Sequence, residues 1–181
     1  MNNIYVLVGP RGTNKQLIAQ ELSRLYDISF IKPYTTRQPR FFNEPGLVFV
    51  TETTYASMNN SGSLIDLSMY LGTRYAVSYA ACNAGGALLS TPSGVNALRS
   101  SKLLNRRVVS ICIQTPVSIR IERLKARGLG SQEILDSVYA DSLLFDNFTA
   151  DAVVHNDDLL DLSLVVSEIY KTIQYYETNV K

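Results

Sequence analysis

The sequence has no tryptophan, one histidine and two cysteines. His155 has no second histidine or cysteine at ligand spacing and abuts a polar Asn156-Asp157-Asp158 turn, so a surface or boundary position is expected of it. Cys82 and Cys112 lie far apart and form no CxxC pair, which excludes structural zinc and a disulfide framework. Cys112 sits in the apolar run Val108 to Ile113 and reads as a buried free thiol in a core strand, as suits a reducing compartment. No stretch approaches the roughly 20 apolar residues of a membrane helix. The opening Met1-Asn2-Asn3-Ile4 has neither a basic leader nor a cleavage site. A cytoplasmic protein without membrane contact is expected. A net charge of +1 with 18% charged residues gives no nucleic-acid footprint and no sign of disorder. Repeats and low-complexity segments are also missing. Tyr170, Tyr175 and Tyr176 are spaced for packing rather than for stacking on bases.

What is present is an alternation of strands and helices over 181 residues, the length of one domain. Ile4 to Val8 is an unbroken apolar run, the pattern of a strand covered on both faces. Glycines then interrupt the chain, and Leu17, Ile18, Leu22 and Leu25 recur at helical spacing from Lys15 to Tyr26. Phe30-Ile31, Ala87 to Leu89, Val108 to Ile113 and Ala152 to Val154 read as further core strands. Helices are predicted after Thr115-Pro116, from about Ser131 to Phe148, and from Leu159 to Tyr176. Between residues 33 and 80, prolines, glycines and short apolar pieces suit a small strand-rich insertion on one edge of the core. The fold class expected is α/β: a parallel sheet with helices on both faces, binding ligands at the carboxyl ends of its strands.

Gly9-Pro10-Arg11-Gly12-Thr13-Asn14-Lys15-Gln16 lines up with the Walker pattern G-x-x-x-x-G-K-[ST], between a strand and a helix. In such a P-loop the backbone amides wrap a phosphate, the helix N-terminus adds a favourable dipole and the lysine neutralises oxygens. Gly9, Arg11, Gly12, Thr13, Asn14, Lys15 and Gln16 are the candidate ATP-phosphate residues. Asn14 replaces a glycine, and asparagine takes positive φ more readily than other side chains. Gln16 replaces the hydroxyl that holds Mg²⁺. The alternative is a turn whose glycines serve geometry alone.

Downstream, Tyr34-Thr35-Thr36-Arg37-Gln38-Pro39-Arg40 presents two forked guanidinium groups three residues apart. It is similar to the T-T-R-x-P-R signature by which guanylate kinases grip the phosphate of GMP. The likeness continues through Leu64-Ile65-Asp66, Gly72-Thr73-Arg74-Tyr75, Arg123 to Gly128 and Val154 to Asp158. This resemblance implies a P-loop NTPase-type single domain over 1–181. Its core would be 1–32 and 81–181, with a GMP-binding-like insertion at 33–80 and a helical lid at about 128–148. It implies ATP as donor, a GMP-like acceptor, Mg²⁺, and a monomer or homodimer. Arg37, Arg40, Asp66 and Tyr75 become acceptor-binding, Lys15 and the lid-edge Arg127 catalytic, and Asn156 a neighbour of the adenine.

The chain departs from that family around the reacting centre. Pro33 and Val77 replace polar residues of the base site, Leu89 and Thr91 align with two aspartates, and Ser137 and Val138 fall where paired arginines clamp the moving phosphoryl group. Such losses strike at turnover more than at the fold. Three functions follow from the resemblance: a nucleoside monophosphate kinase of reduced activity, an impaired relative that binds nucleotide or a phosphorylated partner, and an activity like that of ribose bisphosphate phosphokinases.

Overall fold

A computed structural model describes residues 1–39, 41–70, 72–157 and 161–179, with Asp66 and Tyr70 described in their backbone alone. In chain order the elements are β1 (Asn3–Val8), α1 (Lys15–Tyr26), β2 (Tyr34–Thr35), β3 (Val48–Phe49), α2 (Glu52–Asn60), β4 (Leu64–Tyr70) and β5 (Thr73–Ser78). There follow α3 (Tyr79–Ala84), β6 (Gly86–Leu89), α4 (Pro92–Ser100), β7 (Arg107–Gln114), α5 (Val117–Ala126), α6 (Ser131–Phe145), β8 (Ala152–His155) and α7 (Leu162–Asn179).

The core sheet has the order β6-β1-β7-β8, and all its pairings are parallel. Because side chains alternate along a strand, β1 serves two cores. Tyr5 and Leu7 pack with Ile18 and Leu22 of α1 and with Val165, Ile169 and Ile173 of α7. Ile4, Val6 and Val8 pack on the opposite face with Val95 and Leu98 of α4 and with Ile65, Leu67 and Val77. The last three residues belong to a second, mixed sheet of order β3-β2-β5-β4. The insertion is therefore seated on one face of the core rather than hung from its edge. Cys112 is buried in β7 as a free thiol, and burial raises its pKa.

Several expectations are corrected. The strand at Phe30-Ile31 contracts to one parallel bridge from Phe30 to Ala87, because Pro33, two residues after Ile31, cannot donate to a ladder. The insertion also holds α2, whose polar run Thr53-Thr54 hides its helical character. Thr51 caps it, its side chain accepting from the amide of Thr54, and Tyr55 alone is buried. Helix α4 was readable from Thr91-Pro92, a cap followed by proline at the first helical position. The lid helix ends at Phe145 rather than Phe148. The terminal helix starts at Leu162, and the expected start at Leu159 lies outside the described residues. Among the described residues no helix is long and apolar enough to cross a membrane.

Candidate functional site

Strand β1 has β6 on one side and β7 on the other, and the loop Gly9 to Gln16 leaves its carboxyl end. That crevice is where open parallel sheets take ligands. Gly12 is required on two counts: its φ is +87°, and a Cβ would lie 2.9 Å from the carbonyl oxygen of Arg120. Asn14 does take the left-handed conformation, φ 59°, in place of the second glycine. Among the described residues no side chain caps α1, and Lys15, Gln16 and Leu17 of its first turn line the cavity.

Lys15 curls back over the loop. Its Nζ donates to the carbonyls of Gly9 and Pro10, the latter at 2.9 Å, and to Thr13 Oγ1 at 3.3 Å. Desolvation holds its pKa down to about 8, against a partly opposing pull from Asp141. The loop is braced from α5 and α6 by residues that sequence reading missed. Asp141 Oδ2 accepts from the backbone amide of Arg11 at 2.8 Å and from Arg120 Nη2 at 2.6 Å. Arg120 Nε in turn donates to the Arg11 carbonyl at 2.8 Å. Both Arg120 and Asp141 are buried. The Arg11 guanidinium points to α6, where it donates to Ser137 Oγ and lies 3.6 Å from Glu133. Arg127 Nη2 donates to Asn14 Oδ1 at 2.7 Å.

On the insertion side, Arg37 Nη2 donates to Glu44 Oε1 at 2.7 Å, Nη1 donates to the Gln38 carbonyl, and its guanidinium carbon sits 5.3 Å from the centre of the Phe49 ring. Among the described residues no hydrogen-bond partner meets its buried Nε, and Tyr75 is a further polar neighbour of the guanidinium. Arg40 and the side chain of Asp66 lie outside the described residues. Asn156 is buried: its Nδ2 donates to the Thr13 carbonyl at 2.9 Å, so its amide braces the loop and does not line the cleft.

One cavity of about 880 Å³ joins the two halves. Arg11, Gly12, Thr13, Asn14, Lys15, Gln16 and Arg127 line it from the core, and Arg37, Glu44 and Tyr75 from the insertion. Its described charged lining is four cations, Arg11, Lys15, Arg37 and Arg127, against two carboxylates, Glu44 and Glu133. Leu89 and Thr91, which the resemblance aligns with two aspartates, stand on the wall together with Ser90. Thr91 is spent as the cap of α4, while the buried Ser90 Oγ has no hydrogen-bond partner among the described residues.

Mg²⁺ is implied by the fold family, and these residues do not fit it. The one protein ligand expected from the loop is an amide whose Nε2 donates to the Pro45 carbonyl at 2.6 Å. Among the described residues no three acidic, histidine or cysteine side chains cluster.

The sheet order, the mixed second sheet and the helical lid define a guanylate-kinase-like fold. No protein-family profile and no curated protein sequence matches the chain. Among solved structures it is similar to guanylate kinase from Anaplasma phagocytophilum, with a TM-score of 0.69 and 20% identity over 99% of this chain and 88% of that one. It is also similar to an uncharacterized protein from Eubacterium ventriosum, with a TM-score of 0.56 and 13% identity over 96% of this chain and 99% of that one. At these identities the likeness establishes the fold.

Proposed function

We propose that the cleft binds ATP on the loop Gly9 to Gln16 and a GMP-like monophosphate at Arg37 and Tyr75, and transfers the γ-phosphoryl group between them slowly. The observation that carries this reading is one cavity lined by both sets of residues, with four described cations against two carboxylates. A phosphate on the α1 N-terminus would draw the Lys15 ammonium off the Gly9 and Pro10 carbonyls. The acceptor phosphate would compete with Glu44 for Arg37. Arg40 and Asp66 join the acceptor side by resemblance, and Arg127 the donor side.

Slow transfer follows from what this chain's side chains can do. Phosphoryl transfer needs charge neutralised around the moving group. Here the lid position Ser137 offers a hydroxyl, and Arg11 supplies the cation beside it. A second reading, a nucleotide binder without turnover, is favoured by the engagement of Gln16 with Pro45. Coupled ADP release with a panel of monophosphates and ribose 1,5-bisphosphate decides between them. The kinase reading predicts slow turnover with GMP that disappears in Lys15→Ala and Arg37→Ala. Turnover no higher than that of Lys15→Ala with every acceptor, alongside measurable GMP binding, leaves the binder. Phosphorylation of ribose 1,5-bisphosphate but not of GMP contradicts the nucleotide reading.

A further inference from the structure

Gln16 occupies the position at which a loop of this kind presents a hydroxyl, yet its side chain spans the cleft. Its Nε2 meets the Pro45 carbonyl at 2.6 Å. Gly46 makes room for that contact: its φ is +87°, and a Cβ there would lie 3.1 Å from the same Nε2. The residue before Pro45 is Glu44, whose carboxylate holds Arg37 Nη2 at 2.7 Å. The first turn of α1 is thereby joined to the acceptor arginine through Gln16, the neighbouring Pro45 and Glu44, and Arg37. A water-exposed glutamine amide gains little from a carbonyl by itself, but this contact ties the donor loop to the segment that sets the acceptor site.

We propose that Gln16 is a positioning residue that couples the two phosphate sites, a role taken in place of metal ligation. The proposal rests on the nucleotide reading above. Donor phosphates settling on the first-turn amides of α1 fix the backbone from which Gln16 reaches Pro45. That holds Glu44 and Arg37 in register for the acceptor. The coupling is reciprocal, because each ligand must shift the affinity of the other by the same factor. The Gln16 amide nitrogen is held by Pro45 and no acidic cluster stands among the described residues, so donor binding is expected without a divalent ion.

Calorimetry on the whole chain tests this with GMP and a non-hydrolysable ATP analogue. The analogue is titrated with Mg²⁺ and with chelator, and GMP is titrated with and without saturating analogue. For the wild type we expect the same analogue affinity in both media, and GMP bound about fivefold or more tightly when the analogue is present, the lower end of typical coupling. In Gln16→Ala, and in Gly46→Val, which displaces the Pro45-Gly46 segment while leaving Gln16 in place, GMP affinity becomes independent of the analogue. Hydrogen exchange at residues 44–47 quickens in both variants, and unfolding curves establish that they are folded. Coupling that survives in either folded variant overturns the proposal, as does a wild type in which both ligands bind without coupling or in which chelator abolishes analogue binding. If the wild type binds neither ligand, the nucleotide reading itself fails, an outcome distinct from independent binding of both.

Discussion

Lys15 carries the cation closest to the loop carbonyls, and its reduced pKa has a definite sign for binding. Burial disfavours the ammonium in the free protein and lowers the pKa to about 8. A phosphate beside it favours the ammonium and raises the pKa again. Between the two values the complex holds more protons than the free protein, so phosphate binding takes up a proton and weakens as pH rises above about 8. Calorimetry at pH 8.5 in buffers of different ionisation enthalpy should show that uptake, and Lys15→Arg should remove it. Affinity that is flat from pH 7 to pH 9.5 in the wild type would contradict this role for Lys15. The residue types of the donor loop were legible because the pattern is local: strand, glycine, left-handed Asn14, lysine. Their partners were not. The Arg11 amide and Asp141 are 130 positions apart, and the bond between them depends on how α6 lies over the loop. Glu44 was hidden for a related reason, since nothing in Asn43-Glu44-Pro45 says that its carboxylate turns back onto Arg37.

At the scale of elements, the loop is held by α5 and α6 rather than by its own glycines alone. Removing one partner of a buried ion pair leaves the other uncompensated and costs about 3–5 kcal/mol. Asp141→Ala should therefore lower unfolding stability by an amount of that order, read from urea denaturation, and should speed amide exchange in both the donor loop and α6. An unchanged midpoint would show that the Arg120 and Asp141 contact does not anchor the lid. Helix α1 runs from Lys15 to Tyr26 as its apolar periodicity predicts, and a left-handed Asp27 ends it. Helix α2 was not legible because Tyr55 is its one buried residue, with Met58 half-buried beside the same cluster, so periodicity carries little signal. Helix α4 packs through Val95 and Leu98 after a Thr-Pro cap, a signal that was present and passed over.

For the whole molecule, an ordinary parallel α/β core positions the loop Gly9 to Gln16 at the end of β1. A second sheet seated on one face of that core brings Arg37 and Tyr75 into the same cavity. The alternation of strands and helices, and the arginine motif, made this architecture legible. The side-chain links across the cleft, Gln16 to Pro45 and Glu44 to Arg37, emerged only in three dimensions. The account stands on both phosphates entering one cleft, and a crystal structure of the protein with GMP and a non-hydrolysable ATP analogue tests it most directly. We predict the GMP phosphate on Arg37 and Tyr75, the donor phosphates on the α1 N-terminus with Lys15 turned toward them, and Gln16 still on Pro45. Phosphates bound outside this cavity, or a divalent ion held by Gln16, would contradict it.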